Sequence, residues 1–295
     1  MKKLLIASTA LVATAGIAAA DIAITGYAEM GMADLGDAVG VQMHSDMDVT
    51  FKLSGASDNG LTFGASIDLD EVSSGINSTG GSQAIHVSGG FGTLTMGDTD
   101  GALDKANAEV ASLTSIADDH TAHSGYNGGA GLDSGDILRY DTTFNGFGIS
   151  ASIAQSDKAA SNDVMAYGVT TSVGTVALSA AYQSNNTQDI TAVSAKTTVG
   201  GLTITGNYSE ASMADVTKSY EHTGIGVNYD YNGVALHANM GSFDYDNGTK
   251  ADGMGVAANY GLGGGATVMI GYGNGKAQGV TASKSTFSVG LGLSF

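Results

Sequence analysis

Residues 97–136 read GDTDGALDKANAEVASLTSIADDHTAHSGYNGGAGLDSGD, and they form the longest interval without alternation of apolar and polar residues. The interval is strongly acidic, with Asp98, Asp100, Asp104, Glu109, Asp118, Asp119, Asp133 and Asp136 against the single lysine Lys105. A loop of this length is uncommon in a compact domain, and it is usually either functional or disordered. The sequence on both sides of the loop is therefore needed to distinguish a constriction loop from a disordered surface loop.

Apolar and polar residues alternate on both sides of this loop, as they do in strands with one apolar face. Residues 61–69 before the loop and 138–153 after it place apolar side chains at alternating positions. Asn145-Gly146 and Asn232-Gly233 are dipeptides typical of the two-residue hairpin turn, which requires positive φ. Continued along the chain, this pattern predicts sixteen antiparallel strands.

The connections between these strands alternate between short turns and longer polar loops, which is the layout of outer-membrane barrels. The predicted strands have about 8–12 residues, close to the length with which a tilted strand crosses a bilayer. Their polar face consists mostly of Gly, Ser, Thr, Ala and Asn, too small to fill the core of a soluble sandwich. The fold class predicted is an all-β, transmembrane antiparallel β-barrel. Tyrosines on the apolar face are expected in an interfacial girdle, namely Tyr140, Tyr167, Tyr182, Tyr208, Tyr229, Tyr231, Tyr260 and Tyr272.

The first 20 residues read as a signal peptide rather than as part of the fold. Two lysines precede an apolar, Ala-rich segment at 4–17, and three alanines at 18–20 form a cleavage site. The alternative is an N-terminal membrane anchor, but the apolar span is short for a transmembrane helix. We therefore predict a signal peptide at 1–20, a barrel at 21–295, and export through the inner membrane to the outer membrane.

Composition excludes several classes of function. The 295-residue chain has a formal net charge of −18, whereas nucleic acids and anionic lipids bind basic patches. We therefore expect no nucleic-acid partner and an outer-membrane lipid environment. Charged residues are 14% of the chain and hydrophobic residues 42%, which is too apolar for a solvated acidic polymer. The absence of cysteine excludes a disulfide, a thiolate metal site and a cysteine nucleophile.

Several stretches give the chain a family resemblance. These are LTFGASIDLDE (61–71), VSGGFGTLTMGD (87–98) with the long loop after it, ILRYDTTFNGFGISAS (137–152), and the terminal Phe295. The chain resembles the general diffusion porins of Gram-negative outer membranes in their trimeric, sixteen-stranded form. The resemblance implies a homotrimer with three separate pores. It also implies a third loop, here 97–136, that folds into each lumen and narrows it.

The predicted pore departs from that family in its basic residues. Such porins usually set a row of arginines opposite the acidic loop, but Arg139 is the only arginine of this chain. The only inward basic candidates are Lys52, Arg139, His86 and His237, and Glu29 stands where a basic wall residue is expected. With Asp141 these residues form the predicted pore wall. The predicted acidic constriction comprises Asp98, Asp100, Asp104, Glu109, Asp118 and Asp119.

The function predicted is a water-filled channel for passive diffusion of ions and small hydrophilic solutes, with moderate cation selectivity. A structural or adhesive barrel is one alternative. A hydrolase that uses His86, His222 or His237 is another, but no nucleophile-elbow motif is present, so we predict no enzyme. No cofactor is predicted.

Two further features of the loop carry expectations. Residues 102–113 contain good helix formers with apolar side chains at roughly helical spacing, which predicts a short helix against the inner wall. The cluster Asp118-Asp119-His120-x-x-His123 lacks a complete ligand motif and reads as a polar loop tip rather than as a metal site. Because hard oxygen ligands are abundant, a weak Ca²⁺ site between loop carboxylates is a further expectation.

Overall fold

The structure is a computed structural model that describes residues 21–36, 38–69, 83–117, 123–126, 137–155 and 163–295. Within these ranges the chain forms sixteen strands, one short α-helix and one 3-10 helix. The strands are β1 Asp21–Asp34, β2 Gln42–Ala56, β3 Thr62–Leu69, β4 Gln83–Gly89, β5 Gly92–Gly97, β6 Ile137–Phe144, β7 Phe147–Ala154, β8 Val164–Val173, β9 Val176–Ser184, β10 Gln188–Val199, β11 Leu202–Met213, β12 Tyr220–Tyr231, β13 Val234–Tyr245, β14 Lys250–Gly263, β15 Ala266–Lys276 and β16 Lys284–Ser294. The helices are α1 Ala102–Ala106 and the 3-10 helix Val216–Lys218.

The strands close into a single barrel. Each strand pairs antiparallel with the next along the chain, and β16 pairs with β1 to complete the ring. The terminal residue extends this closure, because the Phe295 amide donates to the Gly26 carbonyl at 2.8 Å. The predicted sixteen-stranded antiparallel barrel is confirmed. No helix among the described residues has the length and hydropathy needed to span a membrane.

The two faces of the barrel wall differ as the alternation predicts. Large apolar side chains lie exposed on one face, as in β1, where Ile22 is 66% exposed and Ile24 is 62% exposed. All eight tyrosines of the predicted girdle are also exposed. Such side chains are stable on the outside of a barrel only against lipid. The opposite face, which carries mostly small and polar side chains, therefore lines the lumen.

The hairpin turns at one end are tight. Asn145 and Asn232 adopt φ of 50° and 52°, and Gly146 and Gly233 follow with positive φ, as a type I′ turn requires. Most connections at the other end are longer. The loop expected at 184–189 is an exception, because β9 ends at Ser184 and β10 begins at Gln188. The expected loop at 73–82 lies outside the described residues.

The main buried apolar cluster lies between the wall and the long loop rather than between two sheets. Helix α1 contributes its apolar residues, and strands β8 to β11 contribute small residues from their inner faces. The cluster contains Ala102, Leu103, Ala106, Ala166, Ala181, Ile190, Ala192 and Ala211. The fold thus positions the loop by burying it against the inner wall.

Candidate functional site

The described part of the long loop occupies the lumen. Its hydrogen bonds reach Ser152 on β7, Asn228 on β12 and Glu29 on β1, which are strands spread around the barrel. Each of these side chains lies on the face opposite to the exposed apolar residues. A single segment can reach all three strands on that face only from inside the barrel. The loop therefore narrows the lumen, and its contacts with the wall determine the width that remains.

The first contact holds the start of the loop to β6. The Arg139 side chain is 7% exposed, and its Nε donates to Oδ2 of Asp141 at 2.9 Å. Its Nη1 donates to Thr99 Oγ1 at 2.9 Å and also to the carbonyl of Asp100. The only arginine of the chain thus ties the loop to the wall. It does not stand in the lumen as an open positive charge.

Helix α1 is shorter than the sequence indicates. It ends at Ala106, whereas the apolar spacing predicted a helix over 102–113, so that prediction is wrong in length. The physical reason is competition for the backbone. The amide of Ala108 donates to Ser194 Oγ at 2.9 Å, and Asn207 donates to the Ala108 carbonyl at 3.1 Å. Backbone groups that bond to the wall cannot continue the helical ladder.

The segment after the helix runs extended across the wall. Asn228 donates to Ser112 Oγ at 2.6 Å, and Asn259 donates to the Thr114 carbonyl at 2.9 Å. The backbone approaches the wall closely at Gly226, where any Cβ would overlap the carbonyl of Val110. Glycine is therefore required at this wall position, and neutral polar side chains hold the loop on either side of it.

A buried carboxylate fixes the far end of this segment. Glu29 is 4% exposed and accepts hydrogen bonds from the Tyr27 hydroxyl at 2.9 Å and from the Ala117 amide at 2.8 Å. The Nε2 atom of His44 lies 3.4 Å from its Oε2. The family resemblance led us to expect a basic wall residue at position 29, where this chain has Glu29. A carboxylate serves there because the loop presents a backbone N–H, which needs an acceptor.

A second short segment, residues 123–126, lies against β12 to β15. The His123 ring bonds Asn239 on β13 at 2.7 Å, and the Gly125 carbonyl bonds His222 on β12 at 2.9 Å. Gly253 on β14 is close enough that a Cβ there would lie 2.6 Å from the His123 ring. The loop is thus held at its start, along its middle and on this second segment.

The loop carries carboxylates into the water-filled space. Asp98, Asp100 and Glu109 are exposed, and Asp104 is partly exposed. Partial burial, and after it the charge of Asp100, raise the pKa of the Glu109 carboxyl. Glu109 and Asp100 therefore lie close enough for their charges to interact, and the exposed acids make the lumenal surface of the loop negative.

The wall of β2 to β4 carries charges of both signs. Lys52 and His86 lie on the inner face and are exposed. Inward acids stand near them, and Thr50 donates to Asp68 at 3.2 Å. The other inward acids of β2 are Asp46 and Asp48. Lys52, His86 and Asp68 on this part of the wall are in contact with water.

Other predicted wall residues are less accessible than the sequence indicated. His237 is 4% exposed between Asn228 and Asn239, so it is not an open basic residue. Asp141 is bound by Arg139, and Lys105 of the loop lies 3.8 Å from it. Among the predicted acids, Asp118 and Asp119 lie outside the described residues.

The expectation that only four basic residues face inward is wrong. The strand register also places His44 of β2 and Lys196 of β10 on the inner face. Both could have been found by extending the alternation of each strand. Val193 is exposed on the outside, so Lys196 three positions later must point inward.

The described residues hold no group of three or more His, Cys, Asp and Glu side chains arranged for a metal ion. His123, the one described member of the predicted loop-tip cluster, is hydrogen bonded to Asn239 instead. His120 of that cluster lies outside the described residues. A weak Ca²⁺ site at the loop carboxylates stays a prediction.

Comparison with known proteins agrees with this architecture. A family model described as Gram-negative porin matches residues 7–292. A porin structure refined at 1.8 Å resolution is 21% identical with a TM-score of 0.78, and the match covers 93% of this chain and 100% of that one. Two mutant structures of Rhodopseudomonas blastica porin are 17% and 18% identical, each with a TM-score of 0.70 and the same coverage. No curated protein matches this chain by sequence. The similarity to solved structures shows the barrel fold, and the match over nearly the whole sequence shows that this chain belongs to the Gram-negative porin family.

Proposed function

We propose that this outer-membrane channel passes ions and small hydrophilic solutes by passive diffusion, and that it prefers cations. The observation that carries the proposal is the loop inside the lumen, held to the wall from Arg139 to Glu29. A loop held at both ends leaves a water-filled passage of defined width. Its width sets a size limit, and charges beside it bias the ions that pass.

The preference for cations follows from the lumenal charges. The loop presents Asp98, Asp100 and Glu109, and the wall adds inward acids on β2 and β3. Lys52 and Lys196 are inward positive charges, but Arg139 is buried against Asp141. Negative potential in the passage concentrates cations. The selectivity should be moderate, because salt screens charges over about 8–10 Å at physiological ionic strength.

The zero-current potential of the purified channel between unequal KCl solutions tests this proposal. We expect potassium to be more permeant than chloride. The double variant Asp100→Asn/Asp104→Asn should lower that preference, because both positions lie on the loop. The matched control is Asp58→Asn/Asp189→Asn, which removes one carboxylate from a short turn and one from the outward face. Greater permeability to chloride in the unaltered channel would contradict the proposal.

The proposed assembly is a homotrimer in the lipid of the outer membrane. The first two strands expose apolar residues on their outer face, which could pack between subunits or contact lipid. These residues include Ile22, Ile24, Met30 and Met47. Native gels in mild detergent distinguish the two cases, because a monomer that conducts would contradict the trimer. Export by a signal peptide cleaved before Asp21 belongs to the same proposal, and N-terminal sequencing of the mature protein tests it.

A further inference from the structure

His123 and His237 belong to a hydrogen-bonded row between the loop and the wall, and a third histidine, His222, contacts the same part of the loop. The row runs from Ser112 of the loop through Asn228, His237 and Asn239 to His123, which is again in the loop. Its distances are 2.6 Å from Asn228 to Ser112, 2.7 Å from His237 to Asn228, 2.9 Å from Asn239 to His237, and 2.7 Å from His123 to Asn239. His222 adds a separate bond of 2.9 Å to the carbonyl of Gly125.

The direction of every hydrogen bond in the row follows from one backbone group. The Gly125 amide can only donate, and it donates to Nδ1 of His123 at 3.1 Å. Nδ1 of His123 must then be unprotonated, so its Nε2–H donates to the Asn239 carbonyl oxygen. The Asn239 amide therefore donates to Nε2 of His237, whose Nδ1–H donates to Asn228. Each imidazole has one donor and one acceptor nitrogen, which is the neutral form.

The third histidine is also suited to the neutral form. His222 is fully buried, its Nε2 bonds the Gly125 carbonyl, and its ring packs 4.4 Å from the ring of Phe243. Its Nδ1 is buried without a hydrogen-bond partner. A proton added to that nitrogen would be a buried, unpaired donor. Burial of polar groups without partners costs free energy, and burial of a charge costs more.

The surroundings of the row offer little compensation for a positive charge. The register neighbours of His222 on β11 and β13 are Ser209 and Phe243, and that of His237 on β14 is Ala257. Asp252 on β14 is the carboxylate that acts on His123, and the His222 ring opposes it. Burial lowers the pKa of His123, the hydrogen bond to Asn239 and the charge of Asp252 offset this only in part, and the His222 ring adds to the lowering. Other titratable groups near the row are Tyr126, Tyr220, Tyr245 and Asp230.

We propose that neutral His123, His222 and His237 position residues 123–126 against the wall, and that acid releases this segment into the passage. The inference rests on the proposed channel function. Protonated His123 would place an Nδ1–H against the Gly125 amide, and protonated His222 would gain an unpaired donor. Because the barrel wall blocks movement outward, a detached segment can move only into the lumen. The segment between Asn107 and Ala117 keeps its own bonds to the wall.

The sign and size of the effect follow from proton linkage. A free imidazole has a pKa of about 6.5, so the detached segment binds more protons than the docked one as pH falls below that value. Docking is therefore complete above about pH 7 and weakens through pH 6 to 5. At pH 5 a single histidine that must be neutral weakens docking by about 30-fold. Two such histidines act on this segment, because His123 belongs to it and His222 bonds the Gly125 carbonyl.

The experiment is single-channel recording of the purified porin at pH 7.5 and pH 5.0, at constant KCl concentration. We expect steady conductance at pH 7.5, and at pH 5.0 an increase of at least about tenfold in brief closures, since docking weakens by about 30-fold. The double variant His123→Gln/His222→Gln should show no such increase. His86→Gln is the matched control, since His86 is exposed on β4 outside the row, and it should keep the response. The single variant His123→Gln changes only the loop and keeps His222, so it should weaken the response at pH 5.0 without abolishing it, even where the double variant does not assemble.

Each outcome decides the question. Closures that do not increase between pH 7.5 and pH 5.0 would overturn the inference, while steady conductance at pH 7.5 would leave the channel function standing. A response that is undiminished in either glutamine variant, or that disappears in His86→Gln, would overturn the inference as well. Absence of any conductance at pH 7.5 would instead remove the proposed function and this inference with it.

Discussion

Two parts of the inner wall, β10 to β14 beneath the loop and β2 to β4 across the lumen, differ in the chemistry of their side chains. The wall beneath the loop presents neutral hydrogen-bonding groups such as Ser194, Asn207 and Asn228, each bonded to the loop. The wall across the lumen presents Lys52 and Asp68, which remain accessible to water. The covered wall therefore holds the constriction in place, and the open wall faces the solutes.

This division follows from the cost of burying charge. A charge beneath the loop would be desolvated, so it needs a close partner, whereas an amide or hydroxyl needs only one hydrogen bond. Arg139 and Glu29 both contact the loop, and both are buried and bonded, while Asp141 lies between Arg139 and Lys105 of the loop. Arg139 and Glu29 are therefore positioning residues. Ion selectivity should depend mainly on the open wall and on the exposed acids of the loop.

Substitution of Arg139 should change the properties of the pore more than any other substitution proposed below. Arg139→Ala removes the bonds to Thr99 and Asp100 at the start of the loop, at a cost of about 2 kcal/mol. The loop should then move from the wall, so the size limit for sugars in a liposome-swelling assay should change. Cation preference should rise as well, since a positive charge is lost beside Asp141.

Arg139→Lys is the control that separates geometry from charge. Lysine keeps the positive charge but lacks the planar fork that binds several acceptors at once. The altered size limit should therefore persist in Arg139→Lys, while the cation preference returns toward that of the unaltered channel. If Arg139→Lys restores both properties, charge alone explains the role of this residue. Arg139 would then not position the loop through its hydrogen bonds.

Substitution of Glu29 should have an intermediate effect at the other end of the loop. Glu29→Ala leaves the Ala117 amide and the Tyr27 hydroxyl without their acceptor, which costs about 1–2 kcal/mol. The displacement should be smaller than for Arg139→Ala, because the bond between Ser115 and Ser288 remains. Limited proteolysis of the detergent-solubilised protein measures the accessibility of the loop. Glu29→Gln keeps one acceptor oxygen and should be cut more slowly than Glu29→Ala, so equal rates would exclude a role for the hydrogen bonds.

The barrel could be predicted from the sequence because alternation has a local cause. Each strand shows its two faces within a few residues, and dipeptides such as Asn145-Gly146 mark the turns. The same alternation places the tyrosines on the outer face and Lys52 on the inner face. Lys196 could have been placed inside in this way too, from the exposed neighbour Val193.

The contacts of the loop could not be predicted, because they join residues far apart in the chain. Nothing local indicates that the Ala108 amide meets Ser194 on β10, yet that bond ends helix α1 early. The same applies to Glu29, whose partner is the backbone of Ala117. Residue type suggests the charge of a side chain, but only the register of the barrel shows whether a loop covers it.

Substitution of Lys52 should have the smallest effect, and it tests the open wall by itself. Lys52 is exposed, and its register neighbours Ala23 and Ser66 are uncharged. Lys52→Ala should raise the cation preference without any change in the size limit for sugars. The Debye length falls from about 10 Å at 0.1 M salt to about 3 Å at 1 M, so the shift in zero-current potential should be nearly abolished at 1 M KCl. Lys52→Arg keeps the charge and should behave as the unaltered channel at both concentrations. A shift that persists at 1 M KCl would place Lys52 in close contact with the passing ions and would contradict a wide, screened open wall.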